Sequence, residues 1–166
     1  MELYYKQFEL ANKINTIKSL VSPIADKKNI QIEIDIDSGL STICADEARF
    51  AQVMYNLVDN AIKFSFENGR VKIGARRKGD MVEITVSDTG IGVKPEDQNK
   101  LFKPFSQVDP FLSKKYEGTG LGLSLVKQIV KLHGGYVWFR SKPREGSTFA
   151  FAIPIEGKRD SSENTD

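Results

Sequence analysis

Three polar residues, Asn56, Asn60 and Lys63, recur at i, i+4 and i+7 within the segment QVMYNLVDNAIKFSFENG (52–69). On a helix they form a single stripe. Two amide oxygens and an ammonium in line suit a metal ion and a phosphate: a carboxamide oxygen is a hard ligand, and the ammonium meets anionic charge. Taken alone, the stripe reads first as the polar shoulder of an ordinary helix, and the rest of the chain has to decide. A second candidate is Asp88-Thr89-Gly90-Ile91-Gly92, which follows directly on a strand-like segment. A carboxylate at a strand's end followed by two glycines sets a fixed acceptor where backbone can approach a ligand closely. An aspartate that merely opens a turn reads the same way. The third candidate, Gly118-Thr119-Gly120-Leu121-Gly122-Leu123, opens an apolar-periodic segment. Free N–H groups and the positive end of a helix dipole make such a start a seat for phosphates.

These candidates need elements to position them. Residues 7–28 read as a first helix, with Phe8, Leu10, Ala11, Ile14, Ile17 and Val21 on its apolar side. Residues 30–36 alternate apolar and polar as a half-buried strand, and 41–45 suit a short one. Asp46 is a good N-cap for the central helix. There Phe50, Val53, Leu57, Ala61 and Phe64 make a core-facing stripe roughly 90° from the polar one. Glu67-Asn68-Gly69 is expected to end that helix, with Gly69 left-handed. Residues 70–78 and 81–87 form a hairpin around Gly79-Asp80. Pro95 begins a short helix over 95–102. From Lys103 to Glu117 the periodicity dissolves, with Phe102, Phe105 and Phe111 scattered among prolines and serines, which suggests a lid. A helix over 120–133 stops at His133-Gly134-Gly135, and strands follow at 136–141 and 147–155. The polar end, 157–166, is expected to be disordered.

The whole is expected to be one domain over residues 1–156. With 166 residues and a net charge of +2, the chain can bury a sizeable core but lacks a nucleic-acid-binding charge balance. Cys44 stands alone, so an internal disulfide is impossible, which fits a reducing, cytoplasmic setting. No apolar run has the length of a membrane span. The Walker loop is absent, as are the HRD and DFG triplets of protein kinases. The dinucleotide pattern GxGxxG fails twice, because Gly118/Gly120 runs on to Leu123 and Gly90/Gly92 to Pro95.

Five motifs occur in order: NLVDNAIKF (56–64), DTGIG (88–92), LFKPFSQVD (101–109), GTGLGL (118–123) and EGSTF (145–149). Together they resemble the N box, first glycine box, F box, second glycine box and final glycine motif of the ATP-binding catalytic domain of sensor histidine kinases. That domain belongs to the GHKL superfamily, with gyrase, Hsp90 and MutL. The resemblance covers residues 5 to 155 and implies an α/β two-layer sandwich of the Bergerat type. A mixed sheet of about five strands would carry three helices on one face, in keeping with strands that alternate on one side only.

The resemblance also implies roles. ATP and Mg²⁺ are the expected cofactors. Asp88 would accept a hydrogen bond from the adenine amino group, Asn60 would ligate Mg²⁺, Asn56 would support that site, and Lys63 would reach the phosphates. Phe64, where many members have Tyr, would hold a ring against the nucleotide. Gly90, Ile91, Gly92, Gly118, Thr119, Gly120, Leu121, Gly122 and Leu123 would line the pocket, with Thr148, Phe102 and Phe105. Gln107 replaces the usual lid cation, which leaves Lys103, Lys114 and Lys115 as candidates for it. The implied reaction transfers a γ-phosphoryl group to a histidine on a separate dimerisation domain, for relay to a response-regulator receiver domain. The parent would be a homodimer and this domain a monomer. His133, in HGG at a helix end, does not suit a phosphoacceptor. A hydrolytic GHKL ATPase would carry Glu as general base where Asn56 stands. A non-catalytic nucleotide-sensing module is the remaining alternative.

Overall fold

The computed structural model describes residues 1–98 and 122–157. In chain order the elements are β1 (Tyr5–Glu9), α1 (Leu10–Lys27), β2 (Gln31–Ile36), β3 (Thr42–Asp46), α2 (Glu47–Phe64), β4 (Arg70–Lys78) and β5 (Met81–Asp88). They continue with α3 (Pro95–Gln98), α4 (Gly122–Leu132), β6 (Tyr136–Lys142) and β7 (Gly146–Pro154). Five strands form one mixed sheet in the order β2-β4-β5-β7-β6, where only β2 and β4 run parallel. This is the expected α/β sandwich.

The core follows from alternation in the strands and helical period in the helices. Val71, Ile73, Val82, Ile84, Val86, Phe149, Phe151 and Ile153 turn to one face of the sheet and are buried. Against them lie Ile14, Ile17 and Val21 of α1, Phe50, Val53, Leu57 and Ala61 of α2, and Val126, Ile129 and Val130 of α4. Helix α2 touches both α1 and α4, so the stripe-bearing helix is the middle one. Gly79 takes a positive φ of 59° in the tight β4–β5 hairpin turn.

Two boundaries differ from expectation. The first helix starts at Leu10, not residue 7, because residues 5–9 form β1, paired antiparallel with β3 in a separate two-stranded sheet. Phe8 is therefore a buried strand residue opposite Ile43. The second difference lies at the end of α2, which stops at Phe64, with Asn68 (φ 65°) and not Gly69 in the left-handed region. Asn tolerates that conformation. Gly69 is needed for another reason: a Cβ there would lie 2.8 Å from the Phe66 carbonyl oxygen.

The start of α2 is as expected. The Asp46 carboxylate accepts the Arg49 N–H at 3.0 Å and also the Tyr4 N–H at 2.9 Å. Burial alone would raise this carboxyl, but the Tyr4 and Arg49 N–H donors, with nearby positive charge, together hold Asp46 below the usual carboxylate range. His133 is buried, its Nε2 accepting the Asp46 N–H at 3.1 Å and its Nδ1 lying 2.9 Å from the Ile129 carbonyl oxygen. It thus ties the end of α4 to the start of α2.

Candidate functional site

Helix α2 presents Asn56 half-buried and Asn60 buried at 6% exposure, on the flank of its core stripe. No described residue hydrogen-bonds the Asn60 carboxamide. One turn on, the Lys63 ammonium lies 3.0 Å from the Asp59 carboxylate in an i,i+4 pair. Phe64 is fully in the interior, at 2% exposure.

Strand β5 delivers Asp88 to the same end of the molecule. It is 5% exposed, and its Oδ1 accepts the Gly90 N–H at 2.9 Å. Its other oxygen, Oδ2, is buried with no hydrogen-bond partner among the described residues. Burial pushes the Asp88 carboxyl up to about 7, against the opposing pull of the Gly90 and Ser147 N–H groups and the Lys28 charge. An acceptor buried without a donor is costly unless a bound group supplies one.

The loop after Asp88 closes onto the end of α2. Ile91 N–H donates to the Phe64 carbonyl at 3.2 Å, and Ser65 and Gly90 form an isolated β-bridge. A Cβ at Gly90 would lie 2.1 Å from the Phe64 oxygen, and one at Gly92 (φ 70°) 2.1 Å from the Lys142 oxygen. Both glycines thus permit close approach of the chain to itself. Leu123 is a core residue on α4, whereas a Cβ at Gly122, the first residue of that helix, would meet nothing within 4 Å. Thr148 on β7 shares a 2.9 Å hydroxyl–hydroxyl hydrogen bond with Ser87. Phe102, Phe105, Gly118, Thr119, Gly120 and Leu121 lie outside the described residues, as do the lid segment and the tail from residue 158.

A cavity of about 390 Å³ opens beside Asp88, lined by Arg140, Ser141, Lys142, Glu145 and residues 146–148. Asn56 and Asn60 are not among its lining residues. Three supporting residues have no local sequence signature. The Ser141 hydroxyl accepts the Val93 N–H at 2.7 Å and meets the Ser147 hydroxyl at 2.8 Å, which pins the loop after Asp88 to the β6–β7 turn. The third is Lys28, whose ammonium donates to the Ile62, Lys63 and Ser65 carbonyls at 2.9, 3.1 and 2.6 Å. Among the described residues no group of three or more His, Cys, Asp or Glu side chains could hold a metal ion.

Residues 45–157 match the family model described as histidine kinase-, DNA gyrase B- and HSP90-like ATPase. The chain belongs to that family. Within it the similar proteins include histidine kinases. An uncharacterized sensor-like histidine kinase of Rhizobium meliloti is 39% identical over 155 residues, covering 93% of this chain and 30% of the relative. The adaptive-response sensory kinase SasA of Prochlorococcus marinus is 41% identical over 129 residues, covering 77% of this chain and 34% of the relative. This member of the family therefore spans about a third of the length of such relatives. Among solved structures, the catalytic domain of the histidine kinase ThkA superposes with a TM-score of 0.81 at 32% identity, covering 93% of this chain and 97% of that one. Full-length ShkA in complex with AMPPNP gives 0.83 at 32% identity, covering 96% of this chain and 33% of that one. The chain is thus a histidine-kinase-type catalytic domain with the nucleotide-binding fold of its family. No helix among the described residues is long and apolar enough to cross a membrane.

Proposed function

We propose that this domain binds Mg-ATP and transfers its γ-phosphoryl group to a histidine supplied by a separate helical dimerisation domain. The observation that carries the reading is the buried, unpartnered Oδ2 of Asp88. An adenine amino group donates to such an oxygen. Guanine presents a carbonyl oxygen at the corresponding position, which would set acceptor against acceptor. Sites that reject a substrate by leaving buried polar groups unpaired discriminate by about 10⁴-fold or more. The complex of the similar ShkA with AMPPNP supports nucleotide binding by this fold.

Asn60 fits a Mg²⁺ ligand, because its carboxamide is buried at the site and engaged by no described residue. A single amide oxygen suits this ion, which keeps several waters and takes further ligands from substrate phosphates. When bound, Mg²⁺ neutralises charge on the phosphate oxygens. Asn56 supports Asn60 from one turn earlier on α2. Lys63, already ion-paired to Asp59, turns its ammonium to the phosphates while Asp59 keeps the side chain extended along the helix. Phe64, Ile91 and Thr148 border the base, and Phe102, Phe105 and the glycine segment 118–123 are assigned to nucleotide binding by the resemblance of their motifs. Where hydrolytic members of the superfamily carry Glu as general base for water, this chain has Asn56, whose amide does not accept a proton near neutral pH. The catalytic contribution is orientation and charge stabilisation, with the histidine nucleophile brought in line by docking.

The phosphoryl group then passes to an aspartate of a response-regulator receiver domain. Support comes from ThkA, solved in complex with the response regulator TrrA at a TM-score of 0.74 to this chain. The parent acts as a cytoplasmic-facing homodimer, and the isolated domain as a monomer. Incubation with γ-labelled ATP and a separately supplied phosphoacceptor domain tests the reading. Acid-labile label on the acceptor histidine, absent with Asp88→Asn, is the expected result. Release of free phosphate by this chain alone, with no label transferred, would point to a hydrolytic ATPase instead.

A further inference from the structure

We propose that Lys28 is a positioning residue of the nucleotide site, its ammonium fixing the last turn of α2 and, through that turn, the seat of Asp88. This rests on the reading of Asp88 as the adenine acceptor. Lys28 follows α1 directly and is 35 positions from Lys63, yet its Nζ reaches three carbonyls at the end of α2. An ammonium carries three donors, and here all three are used, on Ile62, Lys63 and Ser65. The carbonyl of Phe64, inside the same stretch, is held from the other side by Ile91 N–H, and Gly90 packs directly against it. Residues 62–65 are therefore gripped between Lys28 and the loop that follows Asp88.

Two further bonds hold the clamp in register. The Lys28 carbonyl accepts the Asn68 N–H at 2.9 Å, and Asn29 Nδ2 donates to Asn68 Oδ1 at 2.6 Å. A cation at a helix C-terminus would stabilise α2 wherever it sat on that end. This one also lies close enough to Asp88 to favour its charged form against burial. The other charged groups around Asp88 are Arg140, Lys142 and Glu145 on the cavity wall. On the last turns of α2 they are Lys63 and Asp59, which engage each other. Among the described residues Lys28 alone combines the charge with a direct grip on the helix that carries Asn60.

The test separates this role from simple capping. The Asp88 carboxyl is titrated by carbon NMR in the wild-type chain, Lys28→Met and Lys28→Arg, without nucleotide, and ATP affinity is measured in parallel from pH 6 to pH 9. Lys28→Met should raise the Asp88 midpoint by roughly one pH unit and weaken ATP binding about fivefold near pH 7. Lys28→Arg keeps the charge but its planar fork fits three carbonyls poorly, so the midpoint should return toward wild type while ATP affinity recovers only in part. An unchanged Asp88 midpoint in both variants, with ATP affinity falling only in step with melting temperature, would overturn the proposal. The midpoint is read without ATP. An error in the adenine assignment would therefore show as ATP binding indifferent to Asp88→Asn, while the Lys28 shift stood or fell on its own.

Discussion

Asp88 combines two properties that ordinary surface carboxylates lack: it is buried, and one of its oxygens has no partner among the described residues. Asp88→Asn should abolish measurable ATP binding by calorimetry, because the amide presents a donor where the adenine amino group also donates. The same substitution should change how stability depends on pH. A carboxyl raised in the folded state contributes stability that is fully present below its unfolded value of 3.8 and is lost as pH rises through about 7. Wild-type melting temperature should therefore fall between pH 4 and pH 7, by an amount worth at most on the order of 4 kcal/mol, while the Asp88→Asn profile stays flatter. Parallel profiles would refute the burial of an ionisable Asp88. At Asn60, replacement by Ala should leave partial nucleotide affinity but remove its Mg²⁺ dependence and the phosphotransfer. Phosphotransfer that survived would exclude the metal role. Both residues were legible from residue type and position, since a carboxylate before two glycines and a carboxamide beside a core stripe are local signals. Lys28, Ser141 and Ser147 were not, because their partners lie elsewhere in the chain and no local pattern announces them.

The elements carry their own consequences. Helix α2 depends on Asp46, which caps it, ties down Tyr4 and donates its own N–H to His133. Asp46→Ala should cost about 1–2 kcal/mol of stability in denaturant titrations. At the other end of α2, Gly90→Ala should weaken ATP binding at least about tenfold, since a Cβ 2.1 Å from the Phe64 oxygen forces the loop or the helix to move. Gly39→Ala is the control, for a Cβ there meets nothing within 4 Å. Equal affinity in the two variants would remove the loop–helix contact from the account. The helices and the β4–β5 hairpin were legible because period and turn chemistry are local. Strand β1 was not, since five residues with one buried side chain carry little alternation, and only the pairing with β3 makes them a strand. The end of α2 was misplaced for a related reason: Lys28 caps the helix at residues 62–65, before the glycine that local chemistry marks as its stop.

At the scale of the molecule, one-sided burial in the strands announced a sheet covered on one face, and the order β2-β4-β5-β7-β6 places Asp88 on the central strand of that sheet. The order itself was not readable from composition, because it depends on which strands pair across the chain. The layout accords with the proposal that this domain binds nucleotide and another supplies the accepting histidine: the described part of the proposed site is built from α2, the loop after β5 and the β6–β7 turn. The only histidine, His133, is buried as a link between α4 and α2. His133→Gln should accordingly lower stability yet leave transfer to a supplied acceptor domain intact at temperatures where the fold holds. Loss of transfer without loss of stability would return His133 to the reaction. The central claim is that Asp88 reads adenine in a histidine-kinase nucleotide site. Calorimetric titration of this chain with ATP and Mg²⁺, repeated with GTP, tests it most directly. Saturable binding of one ATP, with GTP weaker by about 10⁴-fold, is the predicted result; ATP and GTP binding with equal affinity would contradict it.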